Sequence, residues 1–95
     1  MMISITAGKY TEEQARQSEA FLKDLLPRMK KLPGVVAIYH FAQPDKGAVS
    51  TIVIWEGPEA LKAYRESDLV KEALAFEKKT GMQTSREAYP ILTAL

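Results

Sequence analysis

The sequence holds one histidine, His40, and one tryptophan, Trp55. Histidine is the side chain whose ordinary pKa lies near neutrality, so His40 is the candidate base for taking a proton from a phenol or quinol. Trp55 offers a large flat apolar surface that could wall a pocket for a planar ring. Tyr64 and Arg65 follow within ten residues. A tyrosine hydroxyl can donate a hydrogen bond to a substrate oxygen, and a guanidinium can hold a carboxylate bidentately. Each residue also has a plainer reading. His40 can be a strand histidine bonded to a neighbour such as Thr51, Trp55 a core aromatic, Tyr64 a packing residue and Arg65 surface charge. Tyr39, Phe41 and Tyr89 are assigned to packing.

Other chemistries lack their residues. Cysteine is absent, which removes thiolate nucleophiles, disulfides and sulfur-ligated metal sites. A lone histidine cannot build a multi-histidine metal site. No Gly-rich phosphate loop, GxSxG elbow or dinucleotide fingerprint occurs. No cofactor and no metal are therefore expected. Asp68, Glu72 and the other carboxylates have helical surface spacing and read as solvated charge.

Thirteen basic and twelve acidic residues leave a net charge of +1. The signs are interspersed, so no basic stripe tracks a nucleic acid. The Lys30-Lys31 and Lys78-Lys79 pairs fall near helix ends, where they complement the macrodipole. No apolar run approaches the ~18 residues of a membrane span, and the first residues lack a basic flank and a long apolar stretch. With no cysteine, the expectation is a reducing cytoplasm. A chain of 95 residues is read as one domain, 1–95, burying about 60–65% of its unfolded surface.

These residues must be positioned by elements legible in the pattern. Ile3 to Ala7 alternates apolar with Ser4 and Thr6, which predicts a half-buried strand. Thr11-Glu12-Glu13-Gln14 is a capping box, so a helix begins at Glu12. Its apolar positions run through Leu22, Leu25, Leu26 and Met29, with a kink expected at Pro27. Leu32-Pro33-Gly34 stops it. Val35 to Gln43 and Ala48 to Glu56 are rich in β-branched and aromatic residues and form a hairpin across Pro44–Gly47. A short helix is predicted over Glu59–Glu66. A second is predicted over Asp68–Thr80, capped by Ser67 and ended by Gly81, with Leu69, Ala73 and Phe76 inward. Thr84 to Leu92 is a last strand, with Pro90 marking an edge or end. The order β-α-β-β-α-β implies a ferredoxin-like α+β fold: a four-stranded antiparallel sheet with both helical segments on one face.

Pairing Gln43 with Ala48 sets the hairpin register. One face then carries Val35, Ala37, Tyr39 and Phe41 opposite Glu56, Ile54, Ile52 and Ser50. The other carries Val36, Ile38, His40 and Ala42 opposite Trp55, Val53, Thr51 and Val49, which places His40 and Trp55 together. Both faces are apolar, and helices cover only one. The bare face would exceed the patch of a few hundred Å² that monomers tolerate. A homodimer through the sheet face is the simplest symmetric remedy.

The pattern Leu26-Pro27, Leu32-Pro33-Gly34, Ile54-Trp55-Glu56, Pro58-Glu59-Ala60-Leu61 and Ser67-Asp68 resembles the dimeric α+β barrel superfamily, specifically its antibiotic-biosynthesis-monooxygenase (ABM) type domains. The resemblance runs along nearly the whole chain. It implies a homodimer whose two sheets form a barrel-like core, and a pocket in each subunit between sheet and helices. It further implies a cofactor-independent monooxygenase-like activity on a small aromatic or quinol, with His40 as base and Trp55, Tyr64 and Arg65 binding substrate. Tyr64 falls where such domains often carry a histidine. The alternative is a non-catalytic small-ligand-binding or stress-associated homodimer. Haem-degrading members of this group use a first-strand Asn, the third-strand Trp and a helix His. This chain matches only Trp55; it has no Asn, and Leu74 falls at the histidine position. Haem degradation is therefore not expected.

Overall fold

The computed structural model describes residues 1–95. The elements are β1 (Met2–Lys9), α1 (Glu12–Lys30), β2 (Val35–Gln43), β3 (Ala48–Trp55), α2 (Pro58–Arg65), α3 (Asp68–Thr80) and β4 (Gln83–Pro90). The four strands form one antiparallel sheet in the order β2-β3-β1-β4. This is the ferredoxin-like α+β arrangement, with the second helical segment divided into α2 and α3.

Local chemistry explains the boundaries. The Thr11 side chain accepts from the Gln14 backbone, and Gln14 returns a bond to the Thr11 N–H at 2.9 Å, so the capping box starts α1 as its sequence indicates. The helix runs through Pro27 to Lys30. Gly34 then turns the chain at φ +84, where an added Cβ would lie 2.5 Å from the Ala60 Cβ. Gly81 takes φ 72 after α3. Ser67 occupies the N-cap of α3 but does not cap it. Its hydroxyl instead donates to the Tyr64 carbonyl at 2.6 Å and ties α2 to α3.

The hairpin register is the expected one from Ala37 to Gln43, with His40 opposite Thr51 and Gln43 opposite Ala48. A bulge between Val35 and Ala37 changes the rest: Val35, not Val36, pairs with Trp55. The extra residue brings Val35 onto the core side and leaves Val36 exposed.

The core lies between the sheet and the helices. Leu25, Met29, Val53, Trp55, Leu61 and Ala73 form its buried cluster. Ser4, Thr6, Thr51 and Val53 point from the sheet into this layer. Three contacts fasten α1 to α3 over it, one of them from Gln14 Nε2, which donates to the Thr80 carbonyl at 2.9 Å. Phe21 and Phe76 stack with ring centroids 4.2 Å apart and planes 4° from parallel. Arg28 donates to both carboxylate oxygens of Glu72, at 2.7 and 2.9 Å.

The opposite sheet face has no cover from this chain. Tyr39, Ile52 and Ile5 form one cross-strand row there, and Ala37, Ile54, Ile3 and Tyr89 another. Tyr39 is 60% and Tyr89 49% exposed. The C-terminal Leu92 and Leu95 are also exposed.

Candidate functional site

The layer between sheet and helices holds two adjoining voids of about 70 Å³ each. Thr6, Leu22, Leu25, Thr51 and Ala73 border both. One extends toward Phe21, Phe76, Glu77, Met82 and Thr84. The other extends toward Ser4, Met29, Val53 and Tyr64. The floor therefore carries strand hydroxyls and the roof is apolar helix, a suitable lining for a flat molecule with polar substituents. Ligand sites usually begin near ~300 Å³. The pocket that the resemblance implies between sheet and helices is present only as these two small voids, narrowed by Phe21, Leu22, Leu25 and Leu26 of α1 and Phe76 of α3.

The candidate residues separate. His40 lies on the helix-side face, as its register indicates, but near the exposed edge of β2. It borders neither void. It reaches them through Thr51, whose Oγ1 is 2.8 Å from His40 Nδ1. Partial burial pushes the His40 pKa below 6.5, against an opposing backbone hydrogen bond at Ser50. The neutral imidazole is therefore favoured, as a base requires.

Trp55 is fully buried. It borders neither void, so it is a core residue touching the site through neighbours. Its indole N–H donates to Ser4 Oγ at 2.9 Å, and its ring packs on Tyr64 at 5.4 Å between centroids. Both partners line a void, so Trp55 holds them in place. Tyr64 is half-buried and lies between the inner void and an outer groove bordered by Leu32, Pro33, Glu56 and Ala60. Burial raises its pKa; Arg86 opposes that shift and Glu77 adds to it. Its hydroxyl stays protonated at neutral pH and can donate. Arg65 is exposed and borders neither void. The structure does not bring it to the others.

One site residue escaped the sequence reading. Glu77, grouped there with solvated carboxylates, has a side chain only 13% exposed. It borders a void, accepts from Thr84 Oγ1, and receives both terminal nitrogens of Arg86 at 2.7 and 2.9 Å. The available signal was its position four residues after Ala73, on the same inward helix stripe. Leu74, compared above with a haem-ligand histidine, is 50% exposed on α3. No group of three or more histidine, cysteine or carboxylate side chains is placed to hold a metal. No helix is long and apolar enough to cross a membrane.

No protein-family model and no curated protein matches the chain. Solved structures do. A candidate antibiotic biosynthesis monooxygenase from Deinococcus radiodurans superposes with a TM-score of 0.92 at 16% identity, over 100% of this chain and 96% of that one. SnoaB of Streptomyces nogalater, a cofactor-independent oxygenase, matches with a TM-score of 0.80 at 14% identity, over 99% and 95%. A protein of unknown function from Nitrosomonas europaea matches with a TM-score of 0.82 at 13% identity, over 99% and 91%. At such identities the likeness concerns architecture. The chain has the ferredoxin-like α+β fold shared by these antibiotic-biosynthesis-monooxygenase structures.

Proposed function

We propose that this protein is a cofactor-independent, monooxygenase-like enzyme acting on a small aromatic or quinol held between sheet and helices. The observation that carries the reading is the His40–Thr51 pair. Thr51 Oγ1 lies 2.8 Å from His40 Nδ1 and also borders both voids. A substrate hydroxyl at Thr51 donates its proton to Oγ1 while the Thr51 hydroxyl donates to neutral His40. The deprotonated substrate supplies the electrons that reduce O₂. Tyr64 donates a hydrogen bond to a second substrate oxygen, with Trp55 holding its ring. The apolar roof excludes water from the oxygenated intermediate. SnoaB, with the same fold, is described as a cofactor-independent oxygenase. Two copies joined through the bare sheet face form the working unit, in keeping with a cysteine-free protein of a reducing cytoplasm.

A second reading is favoured by one observation: titratable groups are sparse, only Glu77 and Tyr64 bordering the voids, whose small size weighs equally on both readings. It is a non-catalytic small-ligand-binding or stress-associated homodimer with the same layer.

Oxygen uptake with a panel of quinols separates them. The enzyme reading expects consumption above the buffer rate, lowered about 100-fold in His40→Ala, the ordinary weight of a general base. A wild type no faster than buffer on every quinol rejects it. A His40→Ala variant as fast as wild type removes only the role of His40.

A further inference from the structure

The voids leave too little room for a ring, so part of the wall must move if one is to bind. The observations locate that part. Phe21 of α1 and Phe76 of α3 both border the larger-walled void and stack on each other, 4.2 Å between centroids and 4° from parallel. They are half-buried. With the Arg28–Glu72 ion pair and the Gln14 amide, which donates to the Thr80 carbonyl at 2.9 Å, they are the side-chain contacts that clasp the two helices.

We infer that Phe21 and Phe76 are the jaws of an aromatic clamp: the helices part, a planar aromatic ligand slides between the rings, and its polar substituents meet the hydroxyl floor at Thr6 and Thr51. The inference rests on the proposal that the layer takes an aromatic ligand, and adds which residues select it. Its geometry is simple. Stacked carbon surfaces sit about 3.5–4 Å apart, so one inserted ring moves the jaws from one stacking distance to two, a displacement of about 3.5 Å. Rotation of the two phenyl side chains between rotamers supplies part of that displacement, and a shift of about 1–2 Å between the packed helices the rest. The same displacement widens the void that the rings border. Each ring exchanges its stack on the other phenyl for a stack on the ligand, so opening loses little aromatic contact. A saturated, puckered molecule of similar size cannot repay that loss. The clamp therefore selects for flatness, whereas the hydroxyl floor selects for oxygen substituents.

The test uses 2-naphthol and its saturated, non-planar counterpart decahydro-2-naphthol, with binding to the full chain read by calorimetry. Wild type binds 2-naphthol more tightly. Phe21→Leu and Phe76→Leu each weaken 2-naphthol about fivefold and change the saturated probe less than about twofold, as removal of one stacking face dictates. Arg28→Gln, which releases the ion-pair clasp without touching the void, speeds 2-naphthol association about threefold, the weight of an exposed ion pair. In the wild-type complex, proton–proton contacts between the Phe21 and Phe76 rings disappear in nuclear Overhauser spectra, and each ring shows contacts to the naphthol. The inference is overturned if 2-naphthol does not bind wild type, if the leucine variants weaken both probes equally, if Arg28→Gln leaves association unchanged or slower, or if the Phe21–Phe76 contacts persist at saturation. A protein that clamps 2-naphthol yet consumes no oxygen with any quinol keeps the clamp and loses the oxygenase; one that consumes oxygen with the leucine variants binding normally does the reverse.

Discussion

His40 and Thr51 are the pair on which the proposed chemistry turns. The His40 pKa lies below 6.5 because burial disfavours the imidazolium. Its neutral form is fully available above that value, so kcat/KM for a quinol should be level near neutrality and fall as pH drops through a midpoint below 6.5. An acid limb centred above that value contradicts the assignment. Linkage gives the same sign for stability. The unfolded chain binds the proton more readily, so His40 detracts from stability as pH falls below 6.5, and His40→Phe should flatten that loss in denaturant titrations. Thr51→Val, which keeps shape and removes the hydroxyl, should lower oxygen uptake about as far as His40→Ala if the proton passes through Oγ1. At the other end of the layer, Arg86→Met leaves the Glu77 carboxylate in a mostly buried place without its partner. We expect a loss of about 1–2 kcal/mol, held below the fully buried case because Arg86 is itself 35% exposed. The double variant Glu77→Leu, Arg86→Met should recover most of it in urea titrations. At this scale the sequence was partly legible. His40 opposite Thr51 followed from strand register, which turn length determines. The separation of Trp55 from the voids did not, because period-two patterning assigns a face and says nothing about depth beneath the helices. Arg65 followed Tyr64 in sequence, but one residue along a helix turns the side chain about a quarter of the circumference, and that carried it into solvent.

The elements were legible where local chemistry is self-contained. The Thr11–Gln14 box begins α1 at Glu12, and α3 spans Asp68–Thr80 with Gly81 after it, as the sequence indicates. Thr11→Ala should cost about 1 kcal/mol, measured by chemical denaturation. Gly34→Ala is predicted to be harsher, about 2–3 kcal/mol, since a side chain there is forced into the left-handed region and its Cβ would lie 2.5 Å from the Ala60 Cβ. A neutral Gly34→Ala would mean that the α1–β2 connection is looser than described. What patterning missed depends on partners distant in sequence. The Val35–Ala37 bulge answers to β3 across the hairpin, and the Ser67 hydroxyl turns to Tyr64 rather than capping α3. Each substitutes a tertiary demand for a local preference.

For the whole molecule, the decisive feature is a sheet greasy on both sides with helices for one. Four strands of eight or nine residues make a face of roughly 19 by 26 Å, about 500 Å² in projection. Accessible area exceeds projected area on a surface corrugated by side chains, so the face is of the same order as the ~800 Å² that each partner contributes to a standard stable interface. Apolar rows built on Ile3, Ile5, Ile52 and Ile54 cross it, with Tyr39, Phe41 and Tyr89 exposed beside them. At about 25 cal/mol per Å², leaving such a surface in water forgoes stabilisation comparable with a small domain's net stability. A second copy placing its own sheet there would give the barrel-like core that the resemblance implies. The apolar character of both faces was readable from Val35–Gln43 and Ala48–Glu56 alone, because these two strands lack the polar alternation of a sheet with one wet side. The void volume was not, because rotamers of Leu22, Phe21 and Phe76 decide it and composition is silent on rotamers. Sedimentation equilibrium on the wild-type chain and on Ile52→Glu tests the claim most directly. The account expects a two-chain mass for wild type at micromolar concentration, and dissociation or aggregation for Ile52→Glu, which puts a charge at the centre of the face. A wild type that sediments as a stable, non-aggregating single chain would contradict it.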